Sequence, residues 1–224
     1  MRRAAFALAA IGAIGAAATA EEIGTAIQVQ PQVRAFPPGA PSRELVERNP
    51  IERGLTVRLT GRDAFLEVAY TREFDCKQQP SLSHGRISGV LTFLGPGDAA
   101  LGDRSLPCKP MVAIRRGKAK IAQRPGELVV DVDTPDSVTK VKGTYARFLV
   151  DPFVGTFVGV DEGVVSVQAN AGGDPVEVAA GHWVLVPPGG LPTRPAPLQA
   201  LEESEDSPLK LFDFSTRPPG RPPP

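Results

Sequence analysis

The sequence predicts an all-β protein of many short strands, and three observations support this prediction. Apolar and polar residues alternate in short runs, as in strands that bury one face. Gly, Pro and Asp separate these runs at regular intervals, which is typical of a β-sandwich, a jelly-roll or a β-roll. Almost no stretch keeps a helical period for more than two turns.

Residues 1–20 have the composition of an export leader. Arg2 and Arg3 supply the positive start, residues 4–18 form an uncharged apolar run, and residues 18–20 match the small-x-small pattern that precedes cleavage. A membrane anchor is the alternative, but this run is shorter than the ~20 residues of a spanning helix. We therefore expect cleavage, a periplasmic or secreted protein, and no transmembrane segment in the mature chain.

One β domain is expected over residues 21–190. Its predicted strands are 26–30, 55–59, 64–70, 89–94, 111–114, 118–121, 128–132, 138–141, 148–150, 156–160, 164–167, 176–178 and 183–186. Residues 95–102 are predicted to be rich in turns, and residues 116–117 are predicted to form a turn. Because open sheets leave unpaired edges, a closed or double-layered arrangement is expected.

Residues 191–224 are predicted to be a proline-rich linker and tail, largely disordered, because prolines remove backbone donors. Within this region, residues 209–214 have strand character that would allow a return to the body. Residues 216–224 are interpreted as a solvated tail, with docking on an aromatic groove of a partner as the alternative.

Charge and cysteine content narrow the function classes. The 25 basic and 25 acidic residues, less Arg2 and Arg3, leave a mature net charge of −2, which argues against nucleic-acid binding. The two cysteines, Cys76 and Cys108, favour a disulfide in an oxidising compartment, with two buried free thiols as the alternative. This bond would add ~3–4 kcal/mol to the free energy of unfolding in the loop-entropy model.

The sequence offers little for catalysis. The only histidines, His84 and His182, lie about a hundred residues apart without helper residues, so neither a metal site nor a general base is expected. Asp131, Asp133 and Asp136 have oxygens suited to Ca²⁺, but a solvated strand face and a turn explain them better. No nucleophile elbow or phosphate-binding loop is present. We predict no enzyme, no cofactor and no metal.

Four aromatic residues are candidates for contact with a partner. Tyr145, Phe153, Phe157 and Trp183 would form a stacking platform or partner contact if they clustered on one surface. Burial in the core is the interpretation that the sequence favours for the same residues.

Residues 138–190 resemble the FecR domain family. The similarity lies in the ordered series Val141-Lys142-Gly143-Thr144, then residues 156–167 with Gly163, then residues 176–181 with Gly181, and finally Pro187-Pro188-Gly189-Gly190. Residues 54–68 are similar to the opening strands of the family, and residues 71–125, with both cysteines, are longer than its lead-in and are expected to be an insertion. Gly143, Gly163 and Gly181 are interpreted as turn residues of the fold.

The resemblance implies a periplasmic β domain that senses or transmits a signal. FecR proteins do this when the signalling domain of an outer-membrane transporter contacts them and a sigma-factor system responds. FecR regulators also carry a cytoplasmic part and a membrane-spanning helix, whereas a leader stands in their place here, so the resemblance does not extend to direct sigma-factor control.

Two hypotheses follow. The first is an exported, non-enzymatic module that binds an envelope protein, such as an outer-membrane receptor or transporter, through a strand edge or a loop face. The second is a protein that binds cell-wall glycan, for which β-roll architecture and the aromatic residues are the motivation. An unrecognised enzyme ranks third.

Overall fold

The computed structural model describes residues 22–70, 89–102, 111–123 and 129–199. These residues form sixteen strands, and the all-β prediction is confirmed. The strands are β1 (Glu22–Val29), β2 (Val33–Phe36), β3 (Arg43–Glu44), β4 (Pro50–Glu52), β5 (Leu55–Leu59), β6 (Phe65–Tyr70), β7 (Gly89–Leu101), β8 (Met111–Gln123), β9 (Val130–Asp133), β10 (Ser137–Val141), β11 (Tyr145–Asp151), β12 (Gly155–Glu162), β13 (Val164–Ala169), β14 (Val176–Ala179), β15 (His182–Val186) and β16 (Ala196–Pro197).

Strands β7 and β8 form a long antiparallel pair at the centre of the sheet network, and the strands on either side divide into two sets. The first half-sheet has the order β4-β1-β6-β7-β8-β11-β12-β15-β16, and the second has the order β3-β2-β5-β7-β8-β9-β10-β13-β14. Each half of β7 and β8 therefore belongs to a different half-sheet. All pairings are antiparallel except that of β8 with β9.

The inward faces of both half-sheets contribute to one hydrophobic core. Phe148 and Val160 of the first half-sheet and Leu55 and Val167 of the second belong to the same buried cluster. Alternating apolar residues bury one face of each strand, which is the driving force for such a two-layered, sandwich-like arrangement.

Glycines bring the backbones of β7 and β8 together where the pair bends. A methyl group on Gly117 would lie 2.8 Å from both the Gly97 Cα and the Pro96 carbonyl oxygen. A methyl group on Gly95 would also collide with the Gly61 carbonyl oxygen, in the connection between β5 and β6. The bend therefore requires residues without side chains, and it directs each end of the pair into its own half-sheet.

The predicted turns at residues 95–102 and 116–117 are wrong, because residues 95–101 lie within β7 and residues 116–117 lie within β8. Register shifts around Asp98 explain the error. In β8 the buried positions change from Val112 and Ile114 to Ala119 and Ile121, so the alternation reverses parity between them. A bulge of this kind breaks the period without ending the strand.

The domain bounds stay a prediction, and two structural observations concern the segments at issue. The expected insertion at 71–125 contains β7 and β8, which are central to the sheet network. At the other end, the described structure continues beyond Gly190, where β16 pairs with β15 and Leu198 is buried.

Candidate protein-interaction surface

Four turns meet at one end of the molecule, which we call the loop end. They are residues 134–136 between β9 and β10, residues 152–154 between β11 and β12, residues 170–175 between β13 and β14, and residues 187–191 after β15. Contacts join each turn either to the next turn or to the start of β12, directly after the second turn, so the loop end links both half-sheets.

A buried polar network joins the first turn to the start of β12, directly after the second turn. The Thr156 hydroxyl lies 2.9 Å from Asp136 Oδ2 and 3.0 Å from Thr134 Oγ1. Thr134 Oγ1 in turn accepts a hydrogen bond of 3.0 Å from the Ser137 backbone N–H. These side chains are nearly inaccessible, with Thr156 at 0% and Asp136 at 8% relative exposure. Because buried polar groups are costly unless they are hydrogen-bonded, the network holds this junction in one arrangement.

Asn170 connects the third turn to the first. Its side-chain Nδ2 donates to the carbonyl oxygens of Thr134 and Pro135, both at 3.0 Å, and its backbone N–H donates to the Asp136 carbonyl at 2.8 Å. The remaining junctions are close approaches of glycines. A methyl group on Gly173 would lie 3.0 Å from Leu191 Cδ2, and one on Gly155 would lie 2.8 Å from Pro187 Cα.

Phe153 projects from the loop end with 90% of its surface exposed. The turn that carries Phe153 is stabilised by Asp151. The Oδ1 atom of Asp151 accepts hydrogen bonds from the backbone N–H groups of Phe153 at 2.8 Å and Val154 at 3.1 Å. Val154 is 47% exposed, and Leu191 on the fourth turn is 59% exposed. An exposed aromatic side chain on a pre-formed turn is typical of a protein contact residue.

The other three candidate aromatics lie elsewhere. Tyr145 is the first residue of β11, at the opposite end of that strand from Phe153, and is 40% exposed. Phe157 and Trp183 lie on the outward face of the first half-sheet, where their ring centroids are 5.7 Å apart. The structure therefore brings Phe157 and Trp183 together and leaves Phe153 and Tyr145 separate from them and from each other.

The residues considered for metals are dispersed. Within the described part of the chain, no three His, Cys, Asp or Glu side chains lie close enough to hold a metal ion. Asp131 is 2% exposed, so the expectation that it lies on a solvated strand face is wrong. Asp133 lies 3.4 Å from Arg115, and His182 Nδ1 lies 3.1 Å from the Ala180 carbonyl oxygen.

Three residues singled out by the sequence lie outside the described residues. They are His84, Cys76 and Cys108. The disulfide between the two cysteines stays a prediction.

Comparisons with known proteins assign no family to this chain. No family model matches, and no curated protein matches. Similar solved structures include two crystal structures, each of a putative anti-sigma factor from Parabacteroides distasonis ATCC 8503. One is 14% identical with a TM-score of 0.46, covering 63% of this chain and 59% of that chain. The other is 13% identical with a TM-score of 0.42, covering 59% of this chain and 60% of that chain.

The chain thus spans about three fifths of the length of both solved proteins. Similarity at this level transfers no function. Across the described ranges, the structure contains no helix that is both long enough and apolar enough to cross a membrane.

Proposed function

We propose that this chain is an exported, non-enzymatic binding module of the bacterial envelope, and that it senses or transmits a signal by binding a protein partner through the loop end. The observation that carries the proposal is the 90% exposure of Phe153 on a turn fastened by Asp151. The leader-like residues 1–20 support export, and the FecR-like series of residues 138–190 supports sensing.

The energetics favour Phe153 as the central contact. Burial of a Phe side chain against an apolar surface contributes ~1.5–3 kcal/mol. Because the Asp151 carboxylate already orders the turn, little conformational entropy is lost on binding. Val154 on the same turn and Leu191 on the fourth turn are also exposed at the loop end and would add apolar contact area. The proposed partner is an envelope protein, such as an outer-membrane receptor or transporter.

Glycan binding is less well supported. Sugar-binding surfaces stack aromatic faces against the ligand, and this requires exposed rings close together. Here the rings of Phe157 and Trp183 contact each other, but Phe157 is only 5% exposed. Phe153 lies on a turn beside the exposed aliphatic Val154, which suits a protein partner better.

Site-specific photocrosslinking tests this proposal. A photoreactive phenylalanine analogue replaces Phe153 in the exported, tagged protein, and the same analogue replaces Tyr145 as the matched control at the opposite end of β11. We expect one envelope protein to be captured from position 153 and not from position 145. Mass spectrometry of the crosslinked species identifies it.

Two substitutions make the test specific. With the photoreactive analogue at position 191, Phe153→Ser should abolish capture of that same protein, whereas Tyr145→Ser should leave the yield unchanged. Because Phe153 is exposed, Phe153→Ser should change the free energy of unfolding by less than ~0.5 kcal/mol. Equal capture from both ends of the molecule, or sedimentation with peptidoglycan that is insensitive to Phe153→Ser, would refute the proposed protein-binding role of the loop end.

A further inference from the structure

The outward face of the first half-sheet carries a second apolar cluster. It consists of Leu149, Phe157, Trp183 and Leu185, and we call it the outer-face cluster. In the sheet register Phe157 lies between Leu149 and Leu185, and Gly159 lies beside Trp183. Leu149 is only 8% exposed and Phe157 only 5%, although both point away from the main core.

The C-terminal part of the described chain leads onto this face. Thr193 pairs with Leu185 through two hydrogen bonds, from the Thr193 N–H to the Leu185 carbonyl at 2.8 Å and from the Leu185 N–H to Thr193 Oγ1 at 3.0 Å. Ala196 then lies opposite Trp183 in the register of β15 and β16. The side chain of Leu198 follows, 3.2 Å from the position that a methyl group on Gly159 would occupy.

Trp183 provides an independent reason to expect a cover. Its indole Nε1 is buried and has no hydrogen-bond acceptor among the described residues. Buried indole N–H groups usually have an acceptor, because leaving one unsatisfied costs ~1–3 kcal/mol. A segment that covers the cluster and supplies a carbonyl oxygen would remove this cost.

The chain itself contains a segment suited to this role. Residues 200–224 follow the described part, and their large apolar residues are concentrated at Leu209, Leu211, Phe212 and Phe214, with Leu201 nearer to the start. Leu209 lies eleven positions after Leu198, and an extended chain of eleven residue steps reaches ~36 Å. The distance across β11, β12 and β15 is only ~10 Å, two strand spacings, so the segment can reach every part of the cluster.

We propose that residues 209–214 of the same chain cover the outer-face cluster, and that a backbone carbonyl of this segment accepts the Trp183 Nε1–H. The large side chains of the segment then complete a small second core on the side of the sheet that faces away from the main core. The first half-sheet is thereby covered on both faces, and the loop end stays exposed to a partner.

Tryptophan fluorescence tests the proposal in the full mature chain, because Trp183 is the only tryptophan. The test variant is Leu211→Ser with Phe212→Ser, and the matched control is Lys210→Ser with Asp213→Ser in the same segment. We expect the test variant to show a red-shifted emission maximum and a severalfold rise in acrylamide quenching. The control should behave like the parent protein. An unchanged far-UV circular dichroism spectrum verifies that the fold is retained.

Three results would overturn the proposal. The first is free quenching of Trp183 in the parent protein, and the second is quenching that does not respond to Leu211→Ser with Phe212→Ser. The third is quenching that depends on protein concentration, which would identify a second copy of the chain as the cover.

A crosslinking measurement gives a second, independent readout. A photoreactive analogue in place of Phe212 should crosslink within one chain to the peptide that contains Phe157 or the peptide that contains Trp183. The yield should not change with protein concentration. Crosslinks only to other regions, or only between chains, would contradict the proposal.

Discussion

At the level of single residues, two buried threonines show that the contribution of a hydroxyl group to stability depends on its hydrogen-bond partners. Thr156 and Thr139 are both fully buried threonines of the sheet. The Thr156 hydroxyl contacts Asp136 and Thr134, whereas Thr139 Oγ1 has no hydrogen-bond partner among the described residues. Valine has the same shape as threonine, so the two positions isolate the contribution of the hydroxyl.

We predict opposite results for the two Thr→Val substitutions. Thr156→Val removes the donor to Asp136 and should lower the free energy of unfolding by ~1–3 kcal/mol. Thr139→Val removes an unsatisfied buried group and should leave stability unchanged or raise it by ~1 kcal/mol. Urea unfolding of both variants measures the difference. Equal destabilisation would show that the network at the loop end contributes nothing.

Single residues also show where sequence reasoning about the site fails. The four candidate aromatics were recognisable by type, yet Phe153 is 90% exposed and Phe157 only 5%. Phe157 lies on the outward face of its strand, so local alternation would predict exposure. Its burial depends on neighbours from other strands, which local sequence does not specify.

At the level of elements, the bent β7–β8 pair determines the architecture. Gly117 and Gly172 both have φ = +101°, but their surroundings differ. A methyl group on Gly117 would lie 2.8 Å from backbone atoms of β7, whereas nothing lies within 4 Å of such a group on Gly172. A comparison of alanine substitutions at these two glycines therefore distinguishes the energetic cost of a side chain at positive φ from the cost of a steric clash.

We predict that Gly117→Ala destabilises the protein much more than Gly172→Ala does. Gly172→Ala should cost ~1–2 kcal/mol, because it places a side chain at positive φ in open space. Gly117→Ala adds a clash with backbone atoms of β7, which are fixed by strand pairing. Its cost should therefore exceed that of Gly172→Ala by ~1–3 kcal/mol. Thermal and urea unfolding provide the comparison. Similar losses for both would mean that the bend tolerates a side chain.

Element prediction succeeded where alternation is continuous and failed where it is interrupted. The predicted strand at 55–59 matches β5, and that at 64–70 lies within one residue of β6. In β7 and β8, by contrast, glycines and the interrupted alternation at the register shifts around Asp98 led to the prediction of turns. The short strands β2, β3 and β4 were not predicted, because runs of two to four residues carry too little periodicity.

At the level of the whole molecule, the shared core makes the two half-sheets interdependent. The two central strands belong to both half-sheets, and one buried cluster includes residues from both. If one half-sheet unfolds, the inward face of the other is exposed to water. Unfolding should therefore be a single cooperative transition of both halves.

We predict that a cavity in one half-sheet destabilises both. Leu55→Ala, in β5 of the second half-sheet, should lower the free energy of unfolding by ~2–5 kcal/mol, because Leu55 is fully buried. Trp183 fluorescence, which reports the first half-sheet, and far-UV circular dichroism should shift together to the same lower urea midpoint. Val46→Ala, at an exposed position, serves as control and should change stability by less than ~0.5 kcal/mol. A tryptophan transition that keeps its midpoint would show that the half-sheets unfold independently.

The class of the fold was predictable from the sequence, because strand alternation and turn residues are local properties of the chain. The central position of β7 and β8, the arrangement of the loop end around Thr156 and the exposure of Phe153 became visible only in the tertiary structure. Each depends on contacts between residues far apart in sequence, such as that of Thr156 with Asp136. An alternating pattern specifies which side chains share a face of a strand, but not which strand will pair beside it or what will cover that face.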